Sequence, residues 1–232
     1  MASQNRIQEL LHLHTPPVAL TFQAEAPPGV ERIPAGAPAG CAYWKRAAEG
    51  SVFFTEAADH YGCPVGAYTH GIDLPPDTAE ELEGLIGVMT GLEYVSMEDV
   101  KTLPRRAEPF RVAVYAPLSG APVPPDVVLV RGNARQIMLL AEAAHLAGIG
   151  AQNAAMGRPA CAVVPETLRT GRSATSLGCI GNRVYTGLAD DEFYFAIPGG
   201  KLDAFTEKLE TIVRANKELE GFHRQRAGET AA

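Results

Sequence analysis

The residues with the richest chemistry in this chain are four cysteines, Cys41, Cys63, Cys161 and Cys179. As thiolates they bind soft and borderline metals, and a set of four suits a tetrahedral zinc or an iron–sulfur cluster. None lies in a Cys-Xaa-Xaa-Cys pair, the spacing that structural zinc sites favour, so zinc fits less well. Cys63 is followed by Pro64, as ligands in bacterial ferredoxins are. Cys63 and Cys179 also stand among glycines, whose open amides can donate to cluster sulfurs. These features nominate all four cysteines as ligands of an iron–sulfur cluster. The plain alternative is that they are small buried apolar residues.

A second constellation surrounds Cys179. Gly178-Cys179-Ile180-Gly181-Asn182-Arg183 can form a backbone nest with a cation beside it, which makes Gly178, Gly181 and Arg183 candidate cofactor-binding residues. With Arg172 they would suit a phosphate or carboxylate, although a tight structural turn is written with the same residues. Cys63 near His60, or Cys179 near Arg183, could be an activated thiolate, because neighbouring positive charge lowers a thiol pKa. No third orienting residue accompanies either pair, so whether the chain is an enzyme stays open. His60 and His70 flank Cys63 and could bind metal or move protons. Tyr43 and Trp44, just after Cys41, could shield a cofactor from water or simply pack. Asp190, Asp191 and Glu192 read as a solvated turn, His145 as a boundary residue, and Gly199-Gly200-Lys201 as the start of a helix. Gly-Xaa-Gly-Xaa-Xaa-Gly, Walker, His-Glu-Xaa-Xaa-His and Gly-Xaa-Ser-Xaa-Gly patterns are all missing from the sequence.

The elements that must position these residues follow from period and punctuation. Ser3 can cap a helix with Ile7, Leu10, Leu11 and His14 on one face, stopped by Pro16 and Pro17. Strands are expected at 18–22, 51–55, 111–116, 127–130, 161–164 and 193–197. A helical turn or two fits 42–49. A longer helix starts at Asp77, its stripe of Leu82, Leu85, Ile86 and Met89 expected to face the core. Asn133 caps another helix, ended near Gly148, and Leu202, Phe205, Leu209, Ile212 and Val213 mark the last, with a frayed tail from Arg224.

The segments beginning at Cys41 and Cys161 share an order. Both open Cys-Ala; Gly50-Ser51 answers Gly171-Arg172-Ser173; Gly62-Cys63 answers Gly178-Cys179; Tyr68-Thr69 and Gly71 answer Tyr185-Thr186 and Gly187. This pattern predicts an internal duplication with half-units 16–120 and 126–220 packed about an approximate twofold. The cysteines then come as two equivalent pairs, Cys41 with Cys161 and Cys63 with Cys179. The expected fold is α/β or α+β, with mixed sheets flanked by helices in a single compact unit over 1–232.

Composition bounds the rest. The chain has 232 residues, 46% hydrophobic and 20% charged, with a net charge of -7, which suits an ordinary globular protein. That charge excludes a dedicated nucleic-acid binder, and no apolar run approaches the roughly 20 residues that span a bilayer. Residues 1–13 hold no signal-peptide core, so a cytoplasmic location is expected, with free or metal-bound thiols. The expected partner is a redox protein or a small anionic ligand.

Gly157-Arg158-Pro159-Ala160-Cys161-Ala162, Thr170-Gly171-Arg172, Ser176-Leu177-Gly178-Cys179-Ile180-Gly181-Asn182-Arg183 and Phe195-Ala196-Ile197-Pro198-Gly199 resemble the family called domain of unknown function 169. Pro17-Val18-Ala19-Leu20 is similar to that family's start. The resemblance spans nearly the whole chain and implies kinship, with no activity or catalytic residues attached.

Overall fold

Short valine-rich runs bounded by proline and glycine give this chain its sheet, and capped amphipathic segments give it the helices that cover both faces. The computed structural model describes residues 2–150, 152–155 and 159–230. Gly157 and Arg158 of the family-like motif lie outside them. In chain order the elements are α1 (Ala2–Leu11), β1 (Val18–Gln23), α2 (Cys41–Ala48), β2 (Phe53–Thr55), α3 (Pro64–Thr69), α4 (Pro76–Gly91), α5 (Met97–Lys101), β3 (Val112–Pro117), β4 (Val127–Asn133), α6 (Ala134–Leu146), β5 (Gln152–Ala155), α7 (Val163–Thr170), β6 (Ala174–Ser176), α8 (Ile180–Thr186), β7 (Glu192–Pro198) and α9 (Leu202–Thr230). The strands form one sheet in the order β2-β3-β1-β4-β7-β6-β5. Every pairing is antiparallel except that of β5 with β6.

Side chains alternate across a strand, so the central strands feed two cores. Leu20, Tyr115, Val127, Leu129 and Ala196 face a layer containing α2 and α7, together with Cys41 and Cys161. Ala19, Val128, Val130, Phe195 and Ile197 face α1, α6 and α9. Burial on both faces explains why these strands read as continuous apolar runs. At Asn133 the expected cap is present: its side chain accepts from the Gln136 N–H while Gln136 accepts from the Asn133 N–H.

Besides α3, α5, β5, β6 and α8, which the sequence reading does not place, three elements differ from it. Cys161 to Val164 is a 3-10 turn (Ala160–Ala162) entering α7, not a strand. Pro165 falls in the first turn of α7, where its missing N–H costs no intrahelical bond. Helix α4 forms, but its apolar stripe does not reach the core. Only Thr78 is buried along it, while Leu85 and Val88 are exposed. Helix α9 runs through Arg224 to Thr230, its outer turns tied by Glu220 to Arg135 and Arg224.

The strand register repeats across the seam between β1 and β4. On one side Leu20 faces Tyr115 and Tyr115 faces Phe53; on the other Leu129 faces Ala196 and Ala196 faces Ala174. One step along, Phe22, Ala113 and Thr55 answer Arg131, Tyr194 and Ser176. Gly50 and Gly171 both have positive φ, as do Gly71 and Gly187. The order of cysteine, strand, cysteine, helix and strand is thus shared by both halves.

Candidate metal centre

Each cysteine stands at the start of a helix. Cys41 is the first residue of α2, Cys63 and Cys179 are the N-caps of α3 and α8, and Cys161 lies in the 3-10 turn that leads into α7. Free N–H groups and the positive end of the helix dipole favour negative charge there. Packing then crosses between the halves: α2 lies on α8, and the turn holding Cys161 lies on α3. Cys41 therefore meets Asn182 of α8, and Cys161 meets Thr69 of α3.

This exchange brings the four thiols into electrostatic reach. Cys41 feels Cys63 and Cys179, and Cys161 feels Cys63, Cys179 and Cys41. The two pairs expected from the sequence also match in burial. Cys41 and Cys161 are each 8% exposed, whereas Cys63 and Cys179 are half-buried. Burial pushes the Cys41 thiol up to about 12, with Asn182 drawing it back and the neighbouring cysteines raising it further. Burial and then Cys63 hold Cys161 well above the ordinary thiol value. All four are free thiols. Among the described residues, no three His, Cys, Asp or Glu side chains are gathered closely enough to hold a metal ion.

Two glycines shape the rim. A Cβ on Gly66, in α3, would stand 2.9 Å from Cys63 Sγ. Gly178 has φ +79°, and a Cβ there would stand 2.5 Å from Leu188 Cδ2 and 3.1 Å from Asn182 Oδ1. Both space and backbone therefore require glycine before Cys179.

Two further polar side chains, Tyr115 and Asn182, are buried near the cysteines. Tyr115, on β3, shares the core with Cys41 and Cys161, and its phenol pKa is raised by burial first, then Tyr43, with smaller contributions from Cys161 and Cys41. Thr55 is the polar side chain that draws this pKa back, although its hydroxyl lies outside full hydrogen-bond geometry with the Tyr115 OH. Asn182 is buried beside Cys41 and Tyr194, both of whose pKa values it draws down, although neither its Oδ1 nor its Nδ2 meets full hydrogen-bond geometry. Neither residue was singled out as a ligand neighbour by motif, because strand register and inter-helix packing place them there.

The remaining candidates have structural surroundings. Tyr43 and Trp44 are buried in the core that holds Cys41, Tyr43 5.5 Å from Tyr115 and Trp44 edge-on to Tyr194 at 5.2 Å. The rings of His60 and His70 stand 5.6 Å apart. His60 Nε2 meets Thr55 Oγ1 at 2.8 Å, and His70 Nδ1 donates to the Gly66 carbonyl at 2.7 Å. Burial, aided by His70, brings His60 down to about 3; burial, opposed by the Gly66 carbonyl and aided by Arg106, brings His70 down to about 4. Both are neutral near pH 7. Arg183 donates to the Leu177 and Ala189 carbonyls at 2.6 and 2.7 Å and pairs with Asp190, so its guanidinium fastens the loops around α8. Gly181 is partly buried in α8, and Arg172 and His145 are exposed. Glu192 pairs with Arg131, and Gly199–Lys201 forms the turn that opens α9.

The family model DUF169, described as an uncharacterised ArCR, matches residues 6–208. This chain belongs to that family. The DUF169 match contains all four cysteines and every strand of the sheet. An uncharacterised protein of Methanocaldococcus jannaschii is 28% identical over 159 residues, covering 66% of this chain and 67% of that one. No solved structure matches the chain. Among the described residues, no helix is long and apolar enough to cross a membrane.

Proposed function

We propose that this DUF169 protein is a cofactor protein whose four cysteines hold an iron–sulfur cluster between its two half-units, for electron transfer or redox sensing. The observation that supports this reading is that Cys41 and Cys161, each at a helix start, lie in one core with Cys63 packed against it. A helix or 3-10 start at each cysteine would offset the negative charge of a thiolate-ligated cluster. A single zinc, with bonds of about 2.3 Å, needs its thiolates gathered tightly around one point. The repeated register supports descent of half-units 16–120 and 126–220 from one ancestral unit, which would put equivalent cysteines either side of a pseudo-twofold. A cytoplasmic setting, where thiols stay reduced, fits four free cysteines.

The test is a visible spectrum with iron and sulfide analysis on protein purified without oxygen. Thiolate-to-iron charge-transfer bands with stoichiometric iron and sulfide are expected, lost in Cys63→Ser and Cys179→Ser. Colourless protein that contains neither element and resists reconstitution would overturn the reading.

A further inference from the structure

A cleft of about 90 Å³ opens where α2 crosses the seam between β1 and β4. Val18 and Leu129, register partners at that seam, both line it. Trp44 and Ala48 of α2 wall it on one side, and Tyr194 of β7 stands edge-on to the Trp44 ring at 5.2 Å. The body of the cleft is therefore apolar and aromatic, and it is built from both half-units. Clefts between structural units are where small ligands are most often held.

The polar groups at the cleft are unequally engaged. Arg131 donates to Glu192 at 2.8 Å and to the Gly187 carbonyl at 2.6 Å, so its guanidinium is a fixed part of the wall. Lys45, next to Trp44 on α2, is held loosely: its ammonium lies 3.9 Å from Glu49, beyond hydrogen-bond distance, and both side chains are well exposed. Trp44 is 1% exposed, and its indole Nε1, which can only donate, makes no hydrogen bond. Two donors on consecutive residues thus border an apolar cleft, one charged and loosely paired, the other buried and without an acceptor. A ligand that complements them offers acceptor oxygens and negative charge at one end and a short apolar body at the other.

We propose that this cleft binds a short-chain aliphatic carboxylate, its oxygens accepting from the Lys45 ammonium and the Trp44 N–H and its alkyl body lying against Val18, Ala48 and Leu129. Burial of the alkyl group drives binding, and the charge-assisted contact to Lys45 selects an anion over a neutral molecule of the same body. The small volume sets the limit on chain length. This site involves no metal and is independent of the cluster reading.

Trp44 is the one tryptophan of the chain, so its emission reports on the cleft directly. The experiment is titration of the purified protein with butyrate, followed by tryptophan fluorescence and thermal unfolding, with butanol and butylammonium as probes of the same body. Butyrate is expected to change the emission saturably and to raise the thermal midpoint, and the other two are expected to do neither. Lys45→Met should weaken butyrate about tenfold, the share of one charge-assisted hydrogen bond. Ala48→Leu, which places a larger side chain in the wall, should abolish the response. Emission and midpoint unmoved by butyrate would overturn the proposal, as would butanol acting as strongly as butyrate. A response of full strength in Ala48→Leu would place the ligand elsewhere and overturn the site. If Ala48→Leu does not fold, Lys45→Met decides, because wild-type affinity for butyrate in that variant removes the carboxylate contact on which the assignment stands.

Discussion

Replacing Gly66 by alanine separates two forces that act in opposite directions on one atom. Gly66 lies within α3 and is not among the positive-φ glycines, so alanine's better helix propensity alone would stabilise the fold by about 0.5–1 kcal/mol. The new methyl, however, would stand 2.9 Å from Cys63 Sγ, 3.6 Å from Cys63 Cβ and 3.8 Å from Gly40 Cα. Relief requires Cys63 to turn away or the helix to shift, and such overpacking costs about 1–3 kcal/mol. The net expectation is a loss of about 0–2.5 kcal/mol together with a displaced thiol. Gly84→Ala, in α4, is the control, because a Cβ there meets nothing within 4 Å. Urea unfolding of the metal-free proteins should show Gly84→Ala gaining stability and Gly66→Ala failing to gain it. Iron bound per chain after reconstitution should fall in Gly66→Ala alone. If Gly66→Ala matched the control in both assays, the close approach of α3 to Cys63 would be wrong.

Acid should weaken the fold through two histidines. His60 and His70 titrate at about 3 and about 4 when folded, far below the ordinary value of 6.5. The unfolded chain therefore binds more protons below pH 6.5, and stability falls as pH falls, by about 2 kcal/mol per histidine at pH 5. Urea midpoints should drop between pH 7 and 5, less so in a His60→Gln, His70→Gln double variant; a flat wild-type profile would contradict the burial. Arg131 donates to the Gly187 carbonyl at 2.6 Å and pairs with Glu192, both side chains about one-fifth exposed. Arg131→Met should cost about 1–3 kcal/mol in thermal unfolding, and a loss under about 0.5 would mark the pair as solvated. Val88→Ser on α4 should change stability by less than about 0.5 kcal/mol, because Val88 is exposed. In the native metal-free protein, brief iodoacetamide treatment followed by peptide mapping should label Cys63 and Cys179 before Cys41 and Cys161; uniform labelling would contradict the shared burial pattern.

Much of the sheet was legible in the sequence because its central strands are dense in β-branched residues and end at proline or glycine. Positions 18–22, 111–116, 127–130 and 193–197 all fall on strands, within a residue or two at their ends. The glycines aligned between the two segments, Gly50 with Gly171 and Gly71 with Gly187, all have positive φ. Cys161 to Val164 misled because a short apolar run has no period of its own, and what decides it is docking beneath the sheet. The stripe on α4 misled for the reverse reason: amphipathic period shows that a helix has an apolar side, and tertiary structure alone shows whether anything covers it. Tyr115 carried no local signal, since strand register sets it in the core of Cys41 and Cys161, and the Gly178–Arg183 motif that contains Asn182 did not show that contact between α2 and α8 places it beside Cys41.

The seam between the half-sheets is narrow. β1 and β4 pair only through Val18, Ala19 and Leu20 with Leu129, Val128 and Val127, and at Phe22 the carboxylate of Asp126 replaces a strand partner, accepting the N–H at 2.7 Å. Each of these strands pairs for longer with its own half. A group held from both sides would act as a clasp across this seam of three residue pairs, which is as short as the β2–β3 and β6–β7 pairings. Were the proposed cluster bound there, its chelation should be felt as faster amide exchange along β1 and β4, a breathing of the molecule down its middle.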